Sequence, residues 1–195
     1  MQLVSTTEFL AWATSHGIGR SPEYPHSETL WFSGAEATWY RYRPTSPAGH
    51  DLQLLDRVVE VAAAGSPLWA FPLERGGSWM APGIEPWDGL VRAELEYARI
   101  PVGYVGAIHL APEEAHLATR LLAAAIEAQS LWPLTLIPGH ARCLLLADEG
   151  GDFLGAFPDD GARVGFTRAL VSAGYQEPVE PDPRVSLTDP WLDLQ

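Results

Sequence analysis

Residues 111–147 read APEEAHLATRLLAAAIEAQSLWPLTLIPGHARCLLLA, and this stretch decides the fold that the sequence predicts. Pro112 suits the first position of a helix, because its missing N–H has no helical partner there, and Glu113 lies at the positive end of the helix dipole. Apolar residues then recur at steps of three and four, as on a buried helix face. An alternating segment follows up to the turn signal at Pro138, and an apolar run continues from Cys143. The stretch therefore predicts helix, strand, turn, strand.

The same order of elements is predicted earlier in the chain. A shift of 63 positions pairs Trp69 with Trp132 and places apolar residues on apolar residues through both segments. Each copy also follows an apolar run that is typical of a strand. We therefore expect a strand, helix, strand, strand module in two copies, at 38–84 and 101–147, related by a pseudo-twofold axis. Chance alignment of two amphipathic helices is the alternative, because so long a period is weak support for repetition.

This doubled order, over residues 38–147, resembles that of SOUL and GyrI-like effector-binding domains. The resemblance implies an α+β fold in which a cleft between the two modules holds a small ligand. It is a resemblance of topology and carries no functional residue with it, so any site has to be argued from this chain's own side chains.

The N-terminal segment predicts a helix followed by a loop. Ser5 or Thr6 can cap the helix, Glu8 falls near its third position as in a capping box, and Gly17 would end it. The glycines and prolines of residues 17–27 predict a loop.

Two further segments predict hairpins. Residues 29–32 and 37–43 have the composition of strands and flank a Ser-Gly turn signal. Residues 89–98 alternate with period two but also carry a helical stripe, so periodicity leaves strand and helix open. We favour a strand there, because it would form a hairpin with the strand expected at 104–110. Residues 162–173 predict a last helix, which Gly174 would close.

Together these elements predict one α+β domain over residues 1–176, with a single mixed or antiparallel sheet and helices packed mainly on one face. Residues 177–195 contain four prolines and several acids, and predict a tail. No apolar run approaches the roughly 18 residues that a spanning helix needs, and the first residues lack the pattern of a secretory signal. We therefore expect a cytoplasmic protein without a membrane partner.

The charge pattern excludes several functions. The chain has 25 acidic residues against 12 basic ones, a net charge of −13, and every basic residue is arginine. Absence of lysine disfavours Schiff-base chemistry, pyridoxal phosphate and P-loop nucleotide binding. The negative charge would repel a nucleic-acid backbone, so we expect no nucleic-acid partner.

No catalytic or metal-binding pattern stands out. His109, His116 and His140, with Asp148 and Asp152, could gather around zinc, but their spacing fits no ligand motif. Glu94 and Glu96 would share one face of a strand, where a solvated face explains them better than acid–base work. The lone Cys143 lies in an apolar run, which is typical of a buried thiol. We expect no cofactor and no metal, and lean towards a protein that is not an enzyme.

The candidate binding residues are aromatic and acidic. Two tryptophans flank an irregular segment, and two begin equivalent strands and either fill the core or line a cleft. Four acids lie in the acidic region from residue 148 onward. The candidates are Trp79, Trp87, Trp69, Trp132, Asp148, Glu149, Asp159 and Asp160.

Two functions follow as hypotheses. The first is an immunity or antitoxin-type protein that occludes a basic protein partner, since a carboxylate-rich surface can cover a basic active site. The second is a small-molecule binder with a cleft of about 300 Å³ or more, lined by Trp69, Trp132 or Tyr40.

Overall fold

The computed structural model describes residues 1–20, 30–33, 39–46, 51–73, 77–128, 131–147 and 152–178. The strands in these ranges are β1 (Gln2–Val4), β2 (Ile18–Arg20), β3 (Leu30–Phe32), β4 (Trp39–Tyr42), β5 (Leu68–Pro72), β6 (Ala107–Leu110), β7 (Leu134–Pro138), β8 (Leu144–Ala147) and β9 (Phe153–Ala156). The helices are α1 (Thr6–Ser15), α2 (Leu52–Ala63), α3 (Trp87–Tyr97), α4 (Ala115–Ala128) and α5 (Asp160–Ala173). A 3₁₀ turn, Pro112–Glu114, precedes α4.

Seven strands form one sheet in the order β1-β6-β5-β7-β8-β9-β4, and every neighbouring pair is antiparallel. β2 and β3 pair separately as a small two-stranded sheet. All residues of β5 and β7 are buried, as expected of central strands covered on both faces. The predicted α+β class with one main sheet is confirmed.

Alternating side chains of the sheet divide the core into two layers. Leu68 and Ala70 of β5 join a cluster that includes residues of α2, α3, α4 and α5, which we call the helical face. Trp69 and Phe71 point the other way, into a cluster with residues of α1, β2 and β3, which we call the opposite face. Four of the five helices in the described ranges thus cover one face, as predicted.

Local signals explain where the helices begin and end. Ser5 and Glu8 form the expected capping box at the start of α1. Asp159 accepts a hydrogen bond from the backbone N–H of Ala162 at 2.8 Å and so begins α5. Gly174, at a φ of 110°, ends that helix in the left-handed conformation that glycine favours.

The expectation of a strand at residues 89–98 is wrong, because this segment forms helix α3. Val91 and Leu95 lie one helical turn apart and both are fully buried. Tyr97, which a period-two strand would place on the same face as these two residues, is 54% exposed. The helix is favoured because its apolar stripe packs in the core that also contains α4, a long-range contact that periodicity does not reveal.

The expected hairpin of residues 29–32 with 37–43 is also wrong. β3 pairs with β2, which lies within the segment predicted as a loop, and β4 pairs with β9. Ile18 of β2 and Leu30 of β3 are both buried in the core of the opposite face, and this burial stabilises their pairing. A composition typical of strands identified β3 and β4 but could not identify their partners.

The internal duplication stays a prediction. The later copy contains β6, α4, β7 and β8, in the predicted order of elements. In the earlier copy β4, α2 and β5 follow one another, and residues 77–84 contain a single bridge, Ser78 with Val105, instead of a strand.

Within the described ranges, no helix has the length and apolar character needed to cross a membrane.

Candidate functional site

Trp79 and Trp87, the tryptophans of the irregular segment, differ in their burial. Trp79 is fully buried, and its indole N–H donates a hydrogen bond to the backbone oxygen of Gly106 at 2.8 Å. Trp87 begins α3 and is half-buried against the helical face. Trp79 therefore stabilises the fold from inside, and its ring is not available on the surface.

Trp69 and Trp132 lie on opposite faces of the sheet. Trp69 packs in the core of the opposite face, with its ring 4.8 Å from that of Trp12 and 4.5 Å from that of His109. Trp132 packs in the core of the helical face, 6.1 Å from the ring of Trp79. The structure does not bring the two equivalent tryptophans into one cleft.

The predicted acidic residues that the structure describes lie at the start of α5. Asp159 is the N-cap of the helix, and Asp160 forms an ion pair with Arg163 at 3.1 Å. Both carboxylates lie near the positive end of the helix dipole, so each has a role within the chain. Asp148 and Glu149 lie outside the described residues.

The three predicted histidines are held apart by different surroundings. His109 packs against Trp69, and burial lowers its pKa, with the ammonium group of Met1 adding to the effect. His116 is exposed on α4. His140 lies in the turn after β7, where one ring nitrogen is 3.0 Å from the backbone oxygen of Ala62. Among the described residues, no three His, Cys, Asp or Glu side chains are close enough to share a metal ion.

Glu94 and Glu96 do not form a carboxylate pair, since α3 turns them to different sides. Glu94 accepts two hydrogen bonds of 2.6 Å from the guanidinium group of Arg120 on α4. The same guanidinium carbon lies 4.2 Å from the centre of the Tyr97 ring. This cluster joins α3 to α4 and has the bidentate geometry of a strong ion pair.

A cleft of about 250 Å³ opens between α2, the turn that joins β7 to β8, and α5. Phe157, Phe166 and Cys143 are buried residues that line it, and Gly165 lies on the α5 side. Burial raises the pKa of the Cys143 thiol to about 12, so this cysteine stays protonated and is a poor nucleophile. The sequence signal that could have located the cleft is the pair Gly161 and Gly165, which leaves one face of the first turns of α5 without side chains.

The segment that contains α3 carries a group of exposed apolar side chains. Of the eleven large apolar residues that are exposed in the described ranges, six fall between positions 80 and 105. We call them the 80–105 surface: Met80, Ile84, Leu90, Tyr97, Val102 and Val105. Sequence reasoning missed this surface because it treated residues 89–98 as a strand and looked for tryptophans.

A short antiparallel ribbon positions two members of the 80–105 surface. The backbone N–H of Trp79 donates to the oxygen of Tyr104 at 2.8 Å, and that of Gly103 donates to the oxygen of Trp79 at 2.9 Å. Side chains alternate along such a ribbon, so Met80 turns outward where Trp79 turns inward. Val105, which forms a β-bridge with Ser78 on the other side of the ribbon, is also exposed.

No family model, no curated protein and no solved structure matches this chain. The 80–105 surface, the cleft beside α5 and the net charge of the chain are the features of the described structure that bear on function.

Proposed function

We propose that this chain is a cytoplasmic binding protein that occludes a basic protein partner, as immunity and antitoxin proteins do. The observation that carries the proposal is the 80–105 surface, a concentration of exposed apolar side chains on a chain of net charge −13. Isolated apolar residues on a surface are ordinary, whereas a group of them in one segment offers apolar area of the kind that protein-binding surfaces use.

The geometry of the 80–105 surface suits docking. Met80 and Val105 project from a ribbon whose inward residue, Trp79, is fully buried, so the ribbon has a rigid base. Tyr97 is held by the guanidinium group of Arg120 over its ring, which leaves the remaining ring surface exposed. Apolar anchors on rigid supports lose little conformational entropy when they bind.

Charge supports a basic partner. Two carboxylates of this segment are already paired, Asp88 with Arg92 at 2.5 Å and Glu94 with Arg120. Glu85 and Glu96 are exposed in the same segment. The negative field of the whole chain would attract a basic protein, and the apolar side chains would then hold it in one orientation.

Copurification from the native cytoplasm, followed by native mass spectrometry, tests the proposal with two matched variants. Val105→Arg changes a residue of the 80–105 surface that is 53% exposed, and Val171→Arg changes a residue of α5 that is 43% exposed. Both alter the net charge equally. We expect a stoichiometric basic protein with the wild type and with Val171→Arg, and a loss of affinity of about 10-fold or more with Val105→Arg.

A partner that is acidic, or one that both variants weaken equally, would overturn the proposal. The rival hypothesis of a ligand cleft lined by Trp69 and Trp132 has less support, because those residues lie in the cores of opposite faces of the sheet.

A further inference from the structure

We infer that the cleft between α2, the turn after β7 and α5 binds a small aromatic carboxylate. This site is separate from the 80–105 surface and from the residues that the proposed protein-binding function uses.

The floor of the cleft is aromatic. The rings of Phe157 and Phe166 lie 5.2 Å apart at an angle of 53°, and Cys143 adds an uncharged, protonated thiol. A volume of about 250 Å³ accommodates a single substituted ring, since an apolar cavity of ~150 Å³ can already hold benzene. Aromatic rings prefer offset or edge-to-face contacts, and two inclined rings offer both.

Glycine keeps the cleft open on the α5 side. A Cβ built on Gly165 would meet no heavy atom within 4 Å, so the space beside this helix is unfilled. Glycine in a helix interior costs stability relative to alanine, by roughly 0.5–1 kcal/mol. Gly165 lines the cleft, so a bulky side chain at this position has open space to fill there.

Arg142 supplies a positive charge at the rim. Arg142 is one of the residues that line the cleft, and no carboxylate of the described residues lies within ion-pair distance of its side chain. The His140 ring fixes the local backbone, because Nδ1 accepts the backbone N–H of Arg142 at 3.1 Å and Nε2 is 3.0 Å from the backbone oxygen of Ala62. A planar guanidinium group of this kind pairs with a carboxylate through two parallel hydrogen bonds.

The negative charge of the chain weakens anion binding in the cleft without abolishing it. Asp160, near the cleft, is already paired with Arg163, and Asp159 caps α5. The net charge of −13 still opposes anions, so a ligand of one ring is expected to bind with a dissociation constant in roughly the millimolar range.

Titration of the ¹⁵N-labelled chain with benzoate, and separately with benzamide, tests the inference by NMR. The two probes have similar shapes and differ in charge. We expect benzoate to shift the amide signals of Cys143, Gly161 and Gly165, and to bind about 10-fold more tightly than benzamide because of the charged pair.

Matched variants separate the contribution of the Arg142 charge from that of the space beside Gly165. Arg142→Gln should weaken benzoate by about 10-fold and leave benzamide unchanged, whereas Arg168→Gln, an exposed arginine that does not line the cleft, should affect neither. Gly165→Leu should abolish binding of both probes. Val164→Leu changes the neighbouring exposed position and should preserve binding.

Equal affinity for benzoate and benzamide in the wild type would overturn the inference. So would signal shifts away from the cleft, or equal effects of Arg142→Gln and Arg168→Gln. Both arginines have exposed side chains, so this comparison holds even if Gly165→Leu disturbs folding. Val105→Arg should leave the titration unchanged, which keeps this result distinct from the test of the protein-binding proposal.

Discussion

At the scale of single residues, Trp79 holds the 80–105 surface in place. Its indole N–H is the hydrogen-bond donor to the Gly106 oxygen, and its ring is fully buried. We expect Trp79→Phe to lower the free energy of unfolding by about 2 kcal/mol, because it removes buried volume and leaves that oxygen without this donor. Urea denaturation measures the change. The half-buried Trp87 gives a control, and a loss as large for Trp87→Phe would contradict the assignment.

His109 is expected to make stability depend on pH. Burial lowers its pKa in the fold, so the unfolded chain binds a proton more readily. The neutral imidazole therefore contributes its full share of stability above the unfolded pKa of about 6.5. This stability is lost as pH falls from there towards the lower pKa of the folded state. Denaturation at several pH values between 7 and 5 should show wild type losing more stability than His109→Gln. Parallel curves for the two chains would exclude this role.

At the scale of an element, two glycines of α5 should respond in opposite ways. Gly165→Ala adds a methyl group in open space inside a helix, and should raise the free energy of unfolding by about 0.5–1 kcal/mol. Gly174→Ala forces alanine into a φ of 110° at the end of the helix, and should lower the free energy of unfolding by about 1 kcal/mol. Thermal or urea unfolding of both variants measures the two changes in the free energy of unfolding. The same sign for both would mean that α5 ends elsewhere.

The contact of α3 with α4 depends partly on one ion pair. A double-mutant cycle on Glu94→Gln and Arg120→Met should give a coupling energy of about 1 kcal/mol, since the pair is bidentate and its carboxylate is only 12% exposed. Arg57 and Glu60 form a comparison pair on α2, at 2.6 Å, with both side chains more than half exposed. Their coupling should be below about 0.5 kcal/mol. Equal coupling in the two cycles would contradict the role of Arg120 as a link between helices.

At the scale of the whole molecule, charge repulsion should limit stability. The net charge of −13 belongs to a chain with no lysine, and folding brings these charges closer together. Raising sodium chloride from about 0.05 to 0.5 M shortens the range of repulsion, and we expect the Tm to rise by a few degrees in differential scanning calorimetry. A Tm that falls over this range would mean that ion pairs such as Glu94 with Arg120 outweigh the repulsion.

The sequence by itself determined the elements that depend on neighbours in the chain. The capping box of Ser5 with Glu8, the helix that follows Pro112, and the end of α5 at Gly174 were all readable, because each uses groups within a few residues. The α+β class was readable too, since the periods of helix and strand differ and recur along the chain. Among the site residues, the raised pKa of a buried Cys143 agrees with its apolar run.

Only the tertiary structure decided the contacts between segments that are far apart in the chain. Residues 89–98 carry a pattern that fits helix and strand alike, and packing beside α4 selects the helix. β4 and β9 pair although more than a hundred residues separate them, so no local signal names the partner. The 80–105 surface and the cleft beside α5 arise in the same way: burial of Trp79 turns Met80 outward, and the approach of α5 to α2 encloses the space beside Gly165. Whether a residue is exposed depends on which segments pack over it, and those segments come from elsewhere in the chain.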